Sequence, residues 1–181
     1  YIGCMSPANV RYLIEHNREV EPSKVEIAPN SYDAPTEQRI DYTSEIREKY
    51  NLPKNRPIFI YGGNMGKPQG IPFLIECMKA VAHRKDCHFV IIGNGTEYSK
   101  LRSWYDEANP TAVSLFKALP KEDYDKLASS CDVGLIFLDY RFTIPNYPSR
   151  LLPYIMEHKP ILAVTDPNCD TGLLAEENGY G

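Results

Sequence analysis

The fold class expected of this chain is α/β, a Rossmann-like doubly wound sheet of mostly parallel strands. Three observations predict it. Segments of strand and helix pattern alternate from one end to the other. Several strand segments are apolar on both faces, which requires helices on both sides of the sheet. One strand-to-helix turn, after Tyr61, is rich in glycine: Gly62, Gly63, Gly66 and Gly70 fall within nine residues. Right-handed crossovers then place ligands beyond the carboxyl ends of the strands.

In chain order, Ser6 to His16 reads as a helix, with Ser6-Pro7 as its start and Val10, Leu13 and Ile14 on one face. Val25-Glu26-Ile27-Ala28 is a short strand closed by Pro29-Asn30-Ser31, and the polar stretch from Pro35 to Asp41 is a loop. A helix over Thr43 to Tyr50 leads to the buried strand Ile58-Phe59-Ile60-Tyr61. The next helix shows Ile71, Leu74, Ile75, Met78, Val81 and Ala82 at helical spacing, with Pro72 in its first turn.

His88 to Ile92 is a strand ending at Gly93-Asn94-Gly95, followed by a helix over Thr96 to Ala108 with Leu101, Trp104 and Tyr105 as core anchors. Val113 to Lys117 is a strand, Ala118-Leu119-Pro120 a turn, and Lys121 to Ser130 a helix with Tyr124, Leu127 and Ala128 inward. Val133 to Leu138 is an apolar strand; an aromatic loop from Asp139 to Tyr147 follows. A helix around Ser149 to His158, a strand over Pro160 to Val164 and a helix over Thr171 to Asn178 complete the pattern. Pro153 conflicts with a helix begun at Ser149, so that helix either starts later or kinks.

A chain of 181 residues suits one domain over 1–181. The formal charge of −4, with no basic stripe, argues against nucleic acid as the main partner. Five scattered cysteines without a C-x-x-C pair fit reduced thiols in a cytoplasmic protein. The four histidines lack metal-ligand spacing, so no metal site is expected. No apolar run reaches the ~20 residues of a membrane span, nor is there a signal peptide. The chain starts at Tyr1 rather than Met and stops at Gly181 with no closing element; it is expected to be part of a longer protein.

Strand, glycine turn and helix N-terminus together make an anion site, because glycine lets backbone N–H groups approach a phosphate and the helix end is partly positive. The dipole is worth only ~0.3–1 kcal/mol per charge, so a full charge such as Lys67 is needed beside it. The spacing is neither G-x-G-x-x-G nor a Walker loop. Read by itself, the turn serves a phosphate or simply joins strand to helix.

The order of motifs resembles the C-terminal, nucleotide-sugar-binding domain of retaining GT-B glycosyltransferases of the family 4 type, glycosyl transferases group 1. Tyr61-Gly62-Gly63-Asn64-Met65-Gly66-Lys67-Pro68-Gln69-Gly70 is similar to the glycine loop of capsule and lipopolysaccharide members. Val25 to Asn30 resembles the strand and turn that open the domain, with Asp33 at an aspartate place. Val90 to Gly95, Leu119 to Tyr124, Cys131 to Leu135 and Pro148 to Leu162 match further segments in the same order.

The resemblance implies a glycosyltransferase that takes a UDP- or GDP-linked sugar as donor substrate, without a separate cofactor. The sugar goes to a glycan or lipid-linked acceptor in surface polysaccharide biosynthesis. It assigns Gly62, Gly63, Asn64 and Gly66 to the diphosphate, with Lys67 as counter-charge. Gly93, Asn94 and Gly95 border the nucleotide, and backbone groups of Lys117, Ala118 and Leu119 read the base edge. Ser149, Arg150 and Leu151 stand at a helix N-terminus against the diphosphate and sugar. Lys67 and Arg150 are the implied catalytic groups, stabilising the departing diphosphate electrostatically.

The resemblance also implies an acceptor-binding domain before Tyr1, further helices after Gly181, and peripheral membrane association of the full-length protein. Such a piece binds nucleotide without turning over. The family pattern is not complete: its E-x7-E pair falls near Pro145 and Pro153, and Asn64 and Gln69 stand where basic residues are usual. Glu157, one turn beyond Pro153, substitutes only if the backbone shifts. These departures leave a non-catalytic nucleotide-sugar-binding or scaffolding relative as the alternative, and a sugar-phosphate protein without nucleotide as a third reading. Asp139-Tyr140-Arg141-Phe142 could close over a sugar or simply pack.

Overall fold

A computed structural model describes residues 1–31, 41 and 43–181. Asp33 and most of the loop expected from Pro35 to Asp41 lie outside the described residues. Helices and strands alternate as β1 (Ile2–Cys4), α1 (Pro7–His16), β2 (Val25–Ile27), α2 (Thr43–Lys49), β3 (Ile58–Asn64), α3 (Ile71–Val81) and β4 (His88–Asn94). The series continues with α4 (Tyr98–Ala108), β5 (Val113–Phe116), α5 (Lys121–Ser130), β6 (Val133–Phe137), α6 (Leu151–Met156), β7 (Ile161–Val164) and α7 (Thr171–Glu177).

Five strands form one parallel sheet in the order β5-β4-β3-β6-β7. The order reverses between β3 and β6, and a crevice opens at the carboxyl ends there. The period of two along each strand divides the core. Tyr61, Phe89, Ile91, Val113 and Leu115 meet Leu74, Met78, Leu101 and Trp104 on one face. Ile58, Ile60, Val90, Ile92 and Ile136 meet Ile46, Leu127, Leu151 and Tyr154 on the other.

Two departures from the sequence reading stand out. The strand at Val25 does not open the main sheet; it pairs in parallel with β1, Ile2 opposite Val25 and Cys4 opposite Ile27, in a separate two-stranded sheet. Ile2-Gly3-Cys4 is too short to declare itself as a strand by pattern. Second, Gly62-Gly63-Asn64 and Gly93-Asn94 are not turns but the last residues of β3 and β4, paired Gly62 to Ile92, Gly63 to Gly93 and Asn64 to Asn94. Glycine ordinarily weakens a strand, but here the lack of side chains lets the two backbones stay in register.

Helix α6 begins at Leu151, so Pro153 lies in its first turn, where its missing N–H costs no helical bond. Helix α1 is capped by Ser6, whose hydroxyl accepts from Asn9 N at 3.4 Å, while Ala8 N donates to Asp170 Oδ2 at 2.9 Å.

The carboxyl end of α5 is held by two cations from distant parts of the chain. Lys159 Nζ donates to the carbonyls of Ser129, at 2.7 Å, and Cys131. Buried Arg47 donates from Nε to the Ser130 carbonyl at 3.1 Å and from Nη2 to Asp132 Oδ2 at 3.1 Å. Asp132 Oδ2 in turn accepts from Ile58 N at 2.7 Å, which ties α2, α5 and the start of β3 together.

Candidate nucleotide-sugar site

At the carboxyl ends of β3, β4 and β5 lies a cavity of about 780 Å³. Its floor is the paired backbone of Gly62, Gly63 and Asn64 with Ile92, Gly93 and Asn94. One wall carries Lys117, Ala118, Leu119, Lys121 and Tyr124; the other is the segment Asn146 to Arg150 with Pro153. At Gly63 and Gly93 side chains are excluded from the floor, for steric and conformational reasons. A Cβ on Gly93 would overlap the Gly63 carbonyl, and Gly63 itself has φ +124°, a conformation open to glycine.

Arg150, the residue before α6, dominates the site. Its guanidinium lies 4.4 Å from the centre of the Tyr61 ring, and Nη2 donates to the Asn64 carbonyl at 3.2 Å. The same carbonyl accepts from the Tyr61 hydroxyl at 2.9 Å. Nη1 has no hydrogen-bond partner among the described residues. The glycine segment beyond is braced by Gln69, whose Oε1 accepts from Gly66 N at 3.1 Å and from Asn64 Nδ2 at 3.4 Å. Beneath the floor, fully buried Tyr154 donates to the Ile60 carbonyl at 3.1 Å. Burial pushes the Tyr61, Tyr124 and Tyr154 hydroxyls above their ordinary range, so all three are neutral donors at physiological pH.

The electrostatics are one-sided. Among the described residues, Arg150, Lys117 and Lys121 line the cavity and no aspartate or glutamate does, although the chain as a whole carries a charge of −4. Lys121 is paired with Asp125 at 2.6 Å, outside the cavity. The arrangement suits an anion: donors and cations converge on a backbone floor whose N–H groups can approach closely.

Of the residues singled out by sequence, Gly62, Gly63, Asn64, Gly93, Asn94, Ala118, Leu119, Ser149 and Arg150 all line this cavity. Gly66, Lys67, Gly95 and Leu151 do not. Lys67 is exposed on a single 3-10 turn, Lys67–Gln69, in which Gln69 points inward; at three residues per turn the two directions lie about 120° apart. A Cβ on Gly95 would overlap the Met65 backbone, and Leu151 is buried in the core.

Pro153 lines the cavity, whereas Pro145 turns its carbonyl to Asn9 Nδ2 at 2.7 Å. Glu157 borders an adjoining cleft of about 320 Å³ that shares Lys121, Tyr124 and Pro153 with the cavity. Lys117, which the resemblance assigns through its backbone, lines the cavity too, whereas Lys121, Gln69, Asn146 and Tyr147 line it without being singled out by sequence. The two lysines flank the turn after β5, and the rule placing ligands at strand carboxyl ends is the signal that points to them.

The model for glycosyl transferases group 1 matches residues 43–140, more than half of the chain. This chain belongs to that family. It is 27% identical over 133 residues to a probable glycosyltransferase, WbjE, of Pseudomonas aeruginosa, a match covering 72% of this chain and 33% of that protein. An alpha-D-kanosaminyltransferase of Streptomyces kanamyceticus is 41% identical over 64 residues, covering 35% of this chain and 16% of that one.

The fold is that of GT-B glycosyltransferases. WaaG, a glycosyltransferase involved in lipopolysaccharide biosynthesis, superposes with a TM-score of 0.67 at 15% identity, over 98% of this chain and 47% of that one. Anabaena Alr3699/HepE in complex with UDP and glucose gives 0.71 at 14% identity, over 98% and 52%. The chain thus spans a third of its Pseudomonas relative and about half of these solved structures. No helix among its described residues is long and apolar enough to cross a membrane.

Proposed function

We propose that the cavity holds a nucleoside-diphosphate sugar, UDP- or GDP-linked, as donor for transfer to a glycan or lipid-linked acceptor in surface polysaccharide biosynthesis. The observation that carries this reading is the cavity's charge: among the described residues Arg150, Lys117 and Lys121 line it, and no carboxylate does. A diphosphate suits that field, and the base is then assigned to the side of the cavity lined by Ala118 and Leu119. The Anabaena protein of like fold was crystallised with UDP and glucose, which supports testing UDP first.

The chain's own groups supply the electrostatics of the reaction. As the glycosidic bond to the diphosphate breaks, negative charge grows on the leaving oxygen. Arg150, already oriented by Tyr61 and Asn64, offers its guanidinium to that charge without reorganising. Backbone N–H groups of the glycine segment add to it. Transfer proceeds with retention, and the acceptor is held by parts of the full-length protein outside this chain, at the cytoplasmic face of a membrane. By itself, the chain binds donor without turning it over.

A titration of UDP, GDP, ADP and CDP into the chain, read by calorimetry or thermal shift, tests the donor reading. A ligand at 100 times its dissociation constant adds ~2.7 kcal/mol of stability. No response to any of the four overturns it. One observation favours a second reading, a non-catalytic nucleotide-sugar-binding subunit: Pro153 lines the cavity where the family resemblance implies a carboxylate. Tight donor binding with no transfer by the full-length protein distinguishes that case.

A further inference from the structure

The cavity wall at 146–150, with Pro145 before it, belongs to no strand or helix. Two groups from remote parts of the chain hold its main chain at consecutive carbonyls. Asn9, in the first turn of α1, donates from Nδ2 to the Pro145 carbonyl at 2.7 Å. Cys169, between β7 and α7, has its Sγ 2.9 Å from the Asn146 carbonyl.

Both holders are themselves fixed. The Ser6 hydroxyl donates to Asn9 Oδ1 at 2.9 Å, so the amide oxygen is engaged and the amide nitrogen is turned to Pro145. Cys169 is buried; its N–H donates to Asp166 Oδ1 at 3.1 Å, and Thr171 Oγ1 lies 3.0 Å from Sγ. A carbonyl has no hydrogen to offer, so the thiol donates to Asn146. Burial pushes the Cys169 pKa up, which keeps that proton in place. Between these anchors and Arg150 the chain is short and stiff. Pro145 and Pro148 are buried and fix their φ angles, and the Pro148 carbonyl accepts from Leu151 N at 3.1 Å as the chain enters α6. A displacement at 145–146 is therefore passed on to Arg150 rather than absorbed.

We propose that Asn9 and Cys169 are positioning residues for the donor site: they set the wall that carries Arg150, and act on a nucleoside diphosphate through it. The inference rests on the reading of the cavity as a donor site. Neither residue lines the cavity, so neither touches the ligand. Their effect is on the cost of binding. A wall held in place before the ligand arrives gives up less conformational freedom when the ligand binds. The two anchors come from α1 and from the segment before α7, so the donor wall depends on parts of the chain well outside the glycine floor.

Three variants test this. Asn9→Asp keeps the bond to Ser6 and suits the positive end of α1, yet has no hydrogen for the Pro145 carbonyl. Cys169→Ala removes the second donor, and Cys169→Ser restores it as a hydroxyl. Amide hydrogen exchange on the unliganded chain should quicken about tenfold at 146, 147 and 149 in Asn9→Asp and in Cys169→Ala, with α3 and α4 unchanged. UDP affinity by calorimetry should fall about fivefold in each, but less than about twofold where Arg150 is already replaced by alanine. Cys169→Ser should return both readouts close to their starting values. Unchanged exchange at 146–149, or exchange quickened throughout the fold, would overturn the proposal. So would an equal loss of UDP affinity with and without Arg150, or a Cys169→Ser chain as impaired as Cys169→Ala. UDP titrated into the unsubstituted chain reports failure of the donor reading, and the exchange data then decide the clamp by themselves.

Discussion

Arg150 rests its guanidinium 4.4 Å over the ring of Tyr61, and the two residues donate to one acceptor, the Asn64 carbonyl. A flexible cation is thereby converted into a fixed wall group before any ligand arrives. Arg150→Ala is expected to weaken nucleoside-diphosphate binding by about 10- to 100-fold, the worth of one or two charge-assisted hydrogen bonds. Arg150→Lys keeps the charge but loses the planar stacking, and calorimetry should place it between the two.

Gly93→Ala addresses the floor. The new methyl would overlap the Gly63 carbonyl, so β3 and β4 must separate at their carboxyl ends. Overpacking of this kind costs about 1–3 kcal/mol. The expected result is a lower denaturation midpoint together with lost nucleotide affinity. A chain that keeps both would show that the floor tolerates a gap.

Arg47→Met tests the clasp at the end of α5. It leaves the Ser130 carbonyl without its cation and removes the ion-pair partner of Asp132, which keeps only the Ile58 N–H, for an expected loss of about 2–3 kcal/mol in urea unfolding. UDP affinity of the folded protein should hold, because Arg47 does not line the cavity.

His88 predicts an acid dependence. Burial, with Arg56 nearby, pushes its pKa down to about 4, and Nε2 lies 2.9 Å from Ser114 Oγ. The folded chain therefore keeps a neutral ring where the unfolded chain, near 6.5, takes a proton. Stability falls as pH drops from about 6.5 to about 4, by up to about 3 kcal/mol, and this contribution is flat below that. His88→Asn should flatten the melting temperature across that window. Asp86 and Asp139, held down to about 2 by Arg84 and Arg141, act only at lower pH.

Much of this fold is written locally. Apolar runs such as Ile58 to Tyr61 and stripes such as Ile71, Leu74, Ile75 and Met78 declare strand and helix by period alone, and Pro153 marks where α6 can start. What escapes local reading depends on partners far away. Gly62-Gly63-Asn64 looks like a turn until Gly93 is set opposite, because glycine carries little strand propensity of its own. The clasp of Arg47 on Ser130 and Asp132 joins residues more than eighty positions apart. Lys67 and Gln69 show the same limit within one turn: the resemblance singles out Lys67, but the direction of each side chain puts Gln69 on the cavity and Lys67 in solvent.

A binding floor made of main chain has a consequence for descent. Peptide groups are the same whatever residues are inherited, so copying errors can seldom retune that surface; at Gly63 and Gly93 they mostly break it. Innovation is left to the flanking segments at 117–121 and 146–149, which form walls of the cavity rather than its floor. A lineage built on this plan could change what the cavity admits by editing two short loops, while the floor stays as it was.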